Sequence, residues 1–327
     1  MKNTLKTPNF RSDERTPTRP VATYSIVARD EGTGQMGVAV QSHWFSVGAI
    51  VPWAEAGVGA VATQSFVEAA YGPLGLTLMA AGRSASEALA ALVSTDEDEA
   101  VRQVAMVDAN GHAAVHTGDK AIWAAGHYLG DGFSVQANLM ENEFVWGAMA
   151  SAYEKTEGDL AERLLAALEA AEGEGGDIRG KQSAALLVVS PESSGKPWDD
   201  RIFDLRVEDH PEPVPELRRL VKLKRAYIKL NEGDALLAKN DHKGALGCYQ
   251  EALTIVPDSA TNGEVPFWVG VTLVSIKKMD QAEPYLKRAY RQDERWAKVI
   301  LRLPAAGLLP DDKALIDSVI TAMVASD

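Results

Sequence analysis

The first periodic stretch of the chain, Ala22-Thr23-Tyr24-Ser25-Ile26-Val27-Ala28-Arg29-Asp30, constrains the fold more than any other. It alternates with the period of a β-strand, which sends successive side chains to opposite faces. Thr23 and Ser25 therefore share one face. Gly37-Val38-Ala39-Val40-Gln41-Ser42 reads as the hairpin partner of this strand. The turn between them is Glu31-Gly32-Thr33-Gly34, whose glycines accept backbone angles that other residues avoid.

Further strands follow. Residues 45–53 read as one, interrupted by Gly48, and residues 58–64, small and apolar, as another that is fully buried. The period changes over residues 72–92, where Leu74, Leu78, Ala85, Ala88, Leu89 and Leu92 recur at helical spacing. Gly82 divides two helices there, and Ser84 with Glu87 three residues on has the pattern of a capping box. Strands return at 103–107 and 113–117, joined through Asp108-Ala109-Asn110-Gly111, where Asn-Gly is a strong hairpin signal. Residues 126–138 read as a loop with a short strand, 142–156 and 160–171 as helices, and 183–189 and 202–207 as strands. Strands, helices, strands, helices, strands is the order of an α+β or layered αββα fold, not of a βαβ alternation. No glycine-rich nucleotide fingerprint stands between a strand and a helix.

The regions flanking this body differ from it. Residues 1–22 have no hydrophobic period and carry Lys2, Lys6, Arg11, Arg15 and Arg19. They read as a disordered tail or as a pro-segment removed before Thr23. The body spans 23–208, and residues 209–215, with His210-Pro211-Glu212-Pro213-Val214-Pro215, form a stiff linker. Residues 216–327 show helical periods only. Gly233, Ala245, Tyr249 and Pro257 lie in a pattern that resembles a tetratricopeptide repeat, and Gly270, Ala282 and Leu286 form a weaker second copy. Gly233 and Gly270 are 37 positions apart, as are Ala245 and Ala282. Tyr249 and Leu286 are expected to fill gaps left by small residues where paired helices touch.

A net charge of −13 repels phosphate backbones and argues against nucleic-acid binding. The single cysteine, Cys248, cannot close an internal disulfide and reads as a packed thiol. No run has the length of a membrane span or a secretory signal, so a cytoplasmic protein is expected. His112 and His116 would share a face of a strand, so neither a metal nor a cofactor is expected. The Ala- and Gly-rich strands leave room for subunit contacts, and a homo-oligomer is expected.

Thr23 is the leading chemical candidate. A threonine hydroxyl inside a chain needs a base beside it. At a chain terminus its own α-amine, with a pKa of about 7.7–8.0, supplies one. Ser25 shares its face and either supports or replaces it. Asp177 and Arg179 sit in the glycine-rich Gly175-Gly176-Asp177-Ile178-Arg179-Gly180. Arg179 can grip a substrate carboxylate in two places, and Asp177 can hold a substrate ammonium or orient Arg179. Both also read as a structural ion pair. Gln182 and Ser183 add hydrogen-bonding groups from the following strand. Thr63 and Gln64 form either a strand-end cap or a pocket wall. Asn138 is either an oxyanion donor or a turn residue. Ser42 and His43 are strand neighbours and face opposite ways, so they are not a catalytic pair. His43 is expected to line a cleft or a subunit contact.

The segments Thr23 to Asp30, Gly37-Val38-Ala39-Val40, Val47-Gly48-Ala49-Ile50-Val51-Pro52-Trp53, Gly57 to Gln64, Tyr71-Gly72-Pro73 and Gly175 to Ala185 together resemble the DUF1028 family. That family is placed among the N-terminal-nucleophile hydrolases. The resemblance covers about residues 22–208 and implies a four-layer αββα sandwich whose first strand carries the nucleophile. Many relatives begin at a Met-Thr that corresponds to Thr23, whereas 22 residues precede it here. It further implies an amidohydrolase acting on a small amide or peptide-like substrate, with Thr23 exposed by processing. The alternative is a non-catalytic binding or scaffold protein that captures a peptide or protein partner on its helical repeat.

Overall fold

The structure, a computed structural model, describes residues 20–325. The tail expected at 1–22 therefore lies outside the described residues except for its last three. The chain divides into two compact units between Arg218 and Arg219.

The first unit holds two sheets. The larger is six-stranded in the order β10-β9-β2-β1-β8-β7. Its strands are β1 (Thr23–Arg29), β2 (Met36–Ser42), β7 (Gly126–Gly130), β8 (Phe133–Asn138), β9 (Ser183–Val189) and β10 (Arg201–Val207). The smaller is four-stranded, β3-β4-β5-β6, from β3 (Pro52–Glu55), β4 (Gly59–Ser65), β5 (Arg102–Asp108) and β6 (Ala113–Thr117). Every pairing is antiparallel. That pattern lets each sheet carry alternating faces joined by short hairpins.

Alternation sorts the side chains. Val27, Val38, Val40 and Leu187 of the larger sheet meet Ala60, Ala62, Ala105 and Val107 of the smaller in one apolar cluster. The opposite face of the smaller sheet, with Val61, Val104 and Met106, packs against α1 (Tyr71–Ala80) and α2 (Ala85–Val93) through Leu76, Met79, Leu89 and Leu92. Helices α3 (Val145–Lys155) and α4 (Leu160–Gly173) cover the other face of the larger sheet. Glycines permit the closest approaches: a Cβ on Gly72 would stand 2.3 Å from the Trp53 ring.

The capping box forms as expected, with the Ser84 hydroxyl accepting from Glu87 N–H and the Glu87 carboxylate accepting from Ser84 N–H. Three expectations fail. Residues 45–53 are not a strand. Ser46 takes a left-handed φ of 58°, a short 3-10 turn follows at Val47–Ala49, and β3 starts only at Pro52. Residues 126–138 form a complete hairpin, because Asp131-Gly132 is itself a turn signal, with Gly132 at φ 72°. The prolines at 213 and 215 also do not hold a linker open. They enter the first turn of α5 (Pro213–Leu237), where a missing N–H costs nothing.

The second unit is helical. It contains the later part of α5, then α6 (His242–Ile255), α7 (Glu264–Ser275), α8 (Met279–Gln292), α9 (Arg295–Ile300) and α10 (Lys313–Val324). Tyr249, Phe267, Leu286 and Val319 are central to its core. A Cβ on Gly233 would meet the Tyr249 ring at 2.3 Å, and one on Gly270 would meet Leu286 at 2.6 Å. The same large-against-small contact thus recurs 37 positions on. Among the described residues no helix is long and apolar enough to cross a membrane.

Candidate functional site

Thr23 opens β1, the strand flanked by β2 and β8 in the larger sheet. The register sets Ser42 on one side of it and Asn138 on the other. Residues directly opposite in an antiparallel pair share a face, so all three point toward the smaller sheet. Thr23 is wholly buried, as are Val21 and Ala22 before it. Its hydroxyl donates to Val21 O at 2.7 Å. In the uncut chain its nitrogen is an amide, so the hydroxyl has no α-amine beside it.

The carbonyl that precedes Thr23 has two donors. Arg179 Nη2 donates to Ala22 O at 3.0 Å, and the Ser42 hydroxyl donates to the same oxygen. Arg179 is fixed by Asp177: Nε donates to Oδ1 at 3.0 Å and Nη2 to Oδ2 at 2.7 Å. The carboxylate also accepts from the backbone N–H of Arg179 and of His43. Asp177 thus orients the guanidinium and is fully occupied in doing so. The left-handed glycines at 175, 176 and 180 let the loop fold both side chains inward.

Behind Thr23 lies a buried polar network that joins the two sheets. Ser25 Oγ donates to Gln64 Oε1 and accepts from Gln136 Nε2, both at 2.6 Å. Gln64 Nε2 donates to Gln103 Oε1 at 2.7 Å and to Thr23 O at 3.2 Å. Asn138 Nδ2 donates to Gln103 Oε1 at 2.9 Å. Gln103 Nε2 in turn donates to Thr117 Oγ1, Gly126 O and Ala137 O. Each bond adds little net stability, but leaving a buried partner unmade costs about 1–3 kcal/mol. The network therefore fixes the start of β1 in position.

The remaining expected site residues divide. Gln64 reaches the network, whereas Thr63 faces the other way, its hydroxyl donating to Glu68 O; they do not form one wall. Asn138 sits beside Thr23, and its amide donates to Gln103 Oε1 at 2.9 Å and to Thr23 O at 3.4 Å rather than toward the Ala22 carbonyl. Gln182 points away and donates to Asp209. Ser183 ties down the loop after β2, donating to Trp44 O and accepting from Val47 N–H. His43 is exposed and reaches the site only through its backbone N–H.

Sequence reasoning missed Gln103 and Gln136, and weighed Ser42 only as a partner of His43. Ser42 was within reach, because the hairpin register sets it opposite Thr23. On the helix side of β1, the Tyr24 hydroxyl donates to Glu172, which also pairs with Lys181 at 2.7 Å. Burial, then the Glu172 carboxylate, push the Tyr24 phenol well above its ordinary pKa, which keeps it a donor.

The crystal structure of protein SPO2555 from Silicibacter pomeroyi, of the DUF1028 family model, is 30% identical with a TM-score of 0.55. The similarity covers 62% of this chain and 88% of that one. No curated protein matches the chain. The model of the family of unknown function DUF1028 matches residues 23–217, so its match starts at Thr23. The chain belongs to the DUF1028 family.

Proposed function

We propose that the first unit is an amide hydrolase of the N-terminal-nucleophile type, built on an αββα sandwich, with Thr23 as nucleophile after the bond to Ala22 is cut. The observation that carries this reading is the pair of donors, Arg179 and Ser42, on the carbonyl oxygen immediately before Thr23. Donors aimed at a carbonyl oxygen stabilise the negative charge that develops there on attack. A buried carbonyl needs a donor whatever its role; what supports this reading is that a guanidinium and a hydroxyl, rather than a ladder N–H, supply it here.

The burial of residues 21–23 bears on how the cut is made. A protease from outside has no access to that bond in the folded unit, so the cut comes from within. Thr23 Oγ attacks the Ala22 carbonyl carbon and the C–N bond breaks. The hydroxyl proton passes to the departing nitrogen, which becomes the α-amine, and water then hydrolyses the ester to release a carboxylate at Ala22. The same groups next act on substrate. The α-amine takes the Thr23 hydroxyl proton and passes it to the leaving amine, and water hydrolyses the acyl-threonine. Ser25, held by Gln64 and Gln136, positions β1 and is not the nucleophile.

A protein that starts at Thr23 should hydrolyse members of a panel of small amides and dipeptides, and Thr23→Ala should abolish that turnover. Full turnover in Thr23→Ala would refute the assignment.

The second unit is read as tetratricopeptide-like, supported by the repeated contacts Gly233–Tyr249 and Gly270–Leu286. Capture of a peptide or protein partner there is a separate function. A pull-down that gives the same partners with Thr23→Ala as with the parent would support it.

A further inference from the structure

We infer that the acyl side of the Thr23 site takes an extended peptide. It carries a small residue at the bond to be cut and an apolar residue before it, in the place that residues 20–22 hold in the uncut chain. This rests on the reading of Thr23 as nucleophile and adds the substrate class to it.

Residues 20–22 lie in the unit as a bound peptide would. Val21 N–H donates to Ser65 O at 2.7 Å, and Ser65 N–H donates to Val21 O at 3.1 Å. This reciprocal pairing is how an added strand docks, with the main chain supplying affinity and side-chain pockets supplying choice. Val21 is wholly buried, in one apolar cluster with Val47, Val51 and Val67. A charged residue in that place would be desolvated without a partner. Ala22 is also wholly buried, so a larger side chain in its place would have to displace packed neighbours. Its carbonyl meets Arg179 and Ser42.

None of the groups that hold this segment belongs to it. Ser65 ends β4, Ser42 ends β2, and Arg179 is braced by Asp177. All remain after the bond is cut, and the new carboxylate at Ala22 would stand against a guanidinium. The released leader is therefore a product-like ligand, and a substrate of the same shape takes its place when it leaves. The pairing of β1 with β2 and β8 starts at Thr23 itself. A chain that begins there keeps every strand pairing of both sheets and loses the bridge to Ser65 with the buried contacts of Val21 and Ala22.

The test uses that chain and four peptides read by calorimetry: acetyl-Arg-Pro-Val-Ala as the free acid, its amide, the acid with leucine for alanine, and the acid with lysine for valine. The free acid should bind at least about tenfold more tightly than each of the other three. Arg179→Met should erase the preference for acid over amide; because it also strips the buried Asp177 of its cation, the double variant Asp177→Asn, Arg179→Met should erase it as well with a smaller loss of melting temperature. Failure of the free acid to bind, or equal binding of the leucine and lysine peptides, overturns the inference. Acetyl-Arg-Pro-Val-Ala 4-nitroanilide separates it from the catalytic reading. Binding of the free acid without release of nitroaniline sinks the nucleophile and leaves the peptide site standing. Turnover of other small amides without peptide binding does the reverse.

Discussion

Gln103 is where the two sheets depend on each other most, and its replacement by leucine should loosen the whole first unit. The two side chains have similar volume, so the change removes hydrogen bonds without opening a large cavity. Gln103 Oε1 accepts from Gln64 and from Asn138, and its amide serves Thr117, Gly126 and Ala137. After substitution Gln64 keeps Thr23 O and Gln136 O as acceptors, at 3.2 and 3.3 Å. Asn138 keeps only Thr23 O, at 3.4 Å, and its Oδ1 has no partner to begin with. One poorly served donor and two weakened carbonyls, at about 1–3 kcal/mol for each group left unmade, give a loss of about 3 kcal/mol. Hydrogen exchange read by mass spectrometry on peptides from β5 and β8 measures it. Exchange limited by unfolding should become about 150-fold faster. Protection within about threefold of the parent would refute the argument that this network holds β1.

Other parts of the first unit give sharper single tests. Gly72→Ala drives a Cβ to 2.3 Å from the Trp53 ring and should cost about 1–3 kcal/mol in urea unfolding, whereas Gly82→Ala, with open space around it, should show strain from its φ of 86° alone. Gln41 is wholly buried with neither amide atom bonded, so Gln41→Met should raise the melting temperature by several degrees; an unchanged value would mean that the amide is satisfied in solution. Burial alone would raise the Asp96 carboxyl, but hydrogen bonds from Arg102 and from Asp98 N–H outweigh it and hold its pKa below the ordinary value. A depressed folded pKa stabilises above the unfolded value of about 4 and is lost as pH falls through the folded one. Asp96→Asn should therefore cost about 3 kcal/mol at pH near 6, and the gap should close below about pH 4; a gap independent of pH would contradict it.

The elements that local rules determine were legible in the sequence. Alternation over β1 gave the shared face of Thr23 and Ser25, Asn110-Gly111 gave the β5–β6 hairpin, and Ser84 with Glu87 gave the start of α2. What escaped depended on partners distant in sequence. Gln103 and Gln136 look like ordinary strand glutamines until two sheets face each other. The strand expected over 45–53 failed because Ser183, far along the chain, holds Val47 N–H and Trp44 O in a turn. Two misses were avoidable. Thr63 and Gln64 are strand neighbours and cannot share a wall, by the rule that separated Ser42 from His43. Asp131-Gly132 is as good a hairpin signal as Asn110-Gly111.

The central claim is that Thr23 becomes a chain terminus and then acts. Intact-mass analysis of the purified full-length protein, with turnover of the amide panel measured on the same sample, tests it most directly. The account predicts a species whose first residue is Thr23, activity that rises with its fraction, and an uncut, inactive Thr23→Ala protein. A uniformly uncut chain, with no activity gained when the protein is made to start at Thr23, would contradict it.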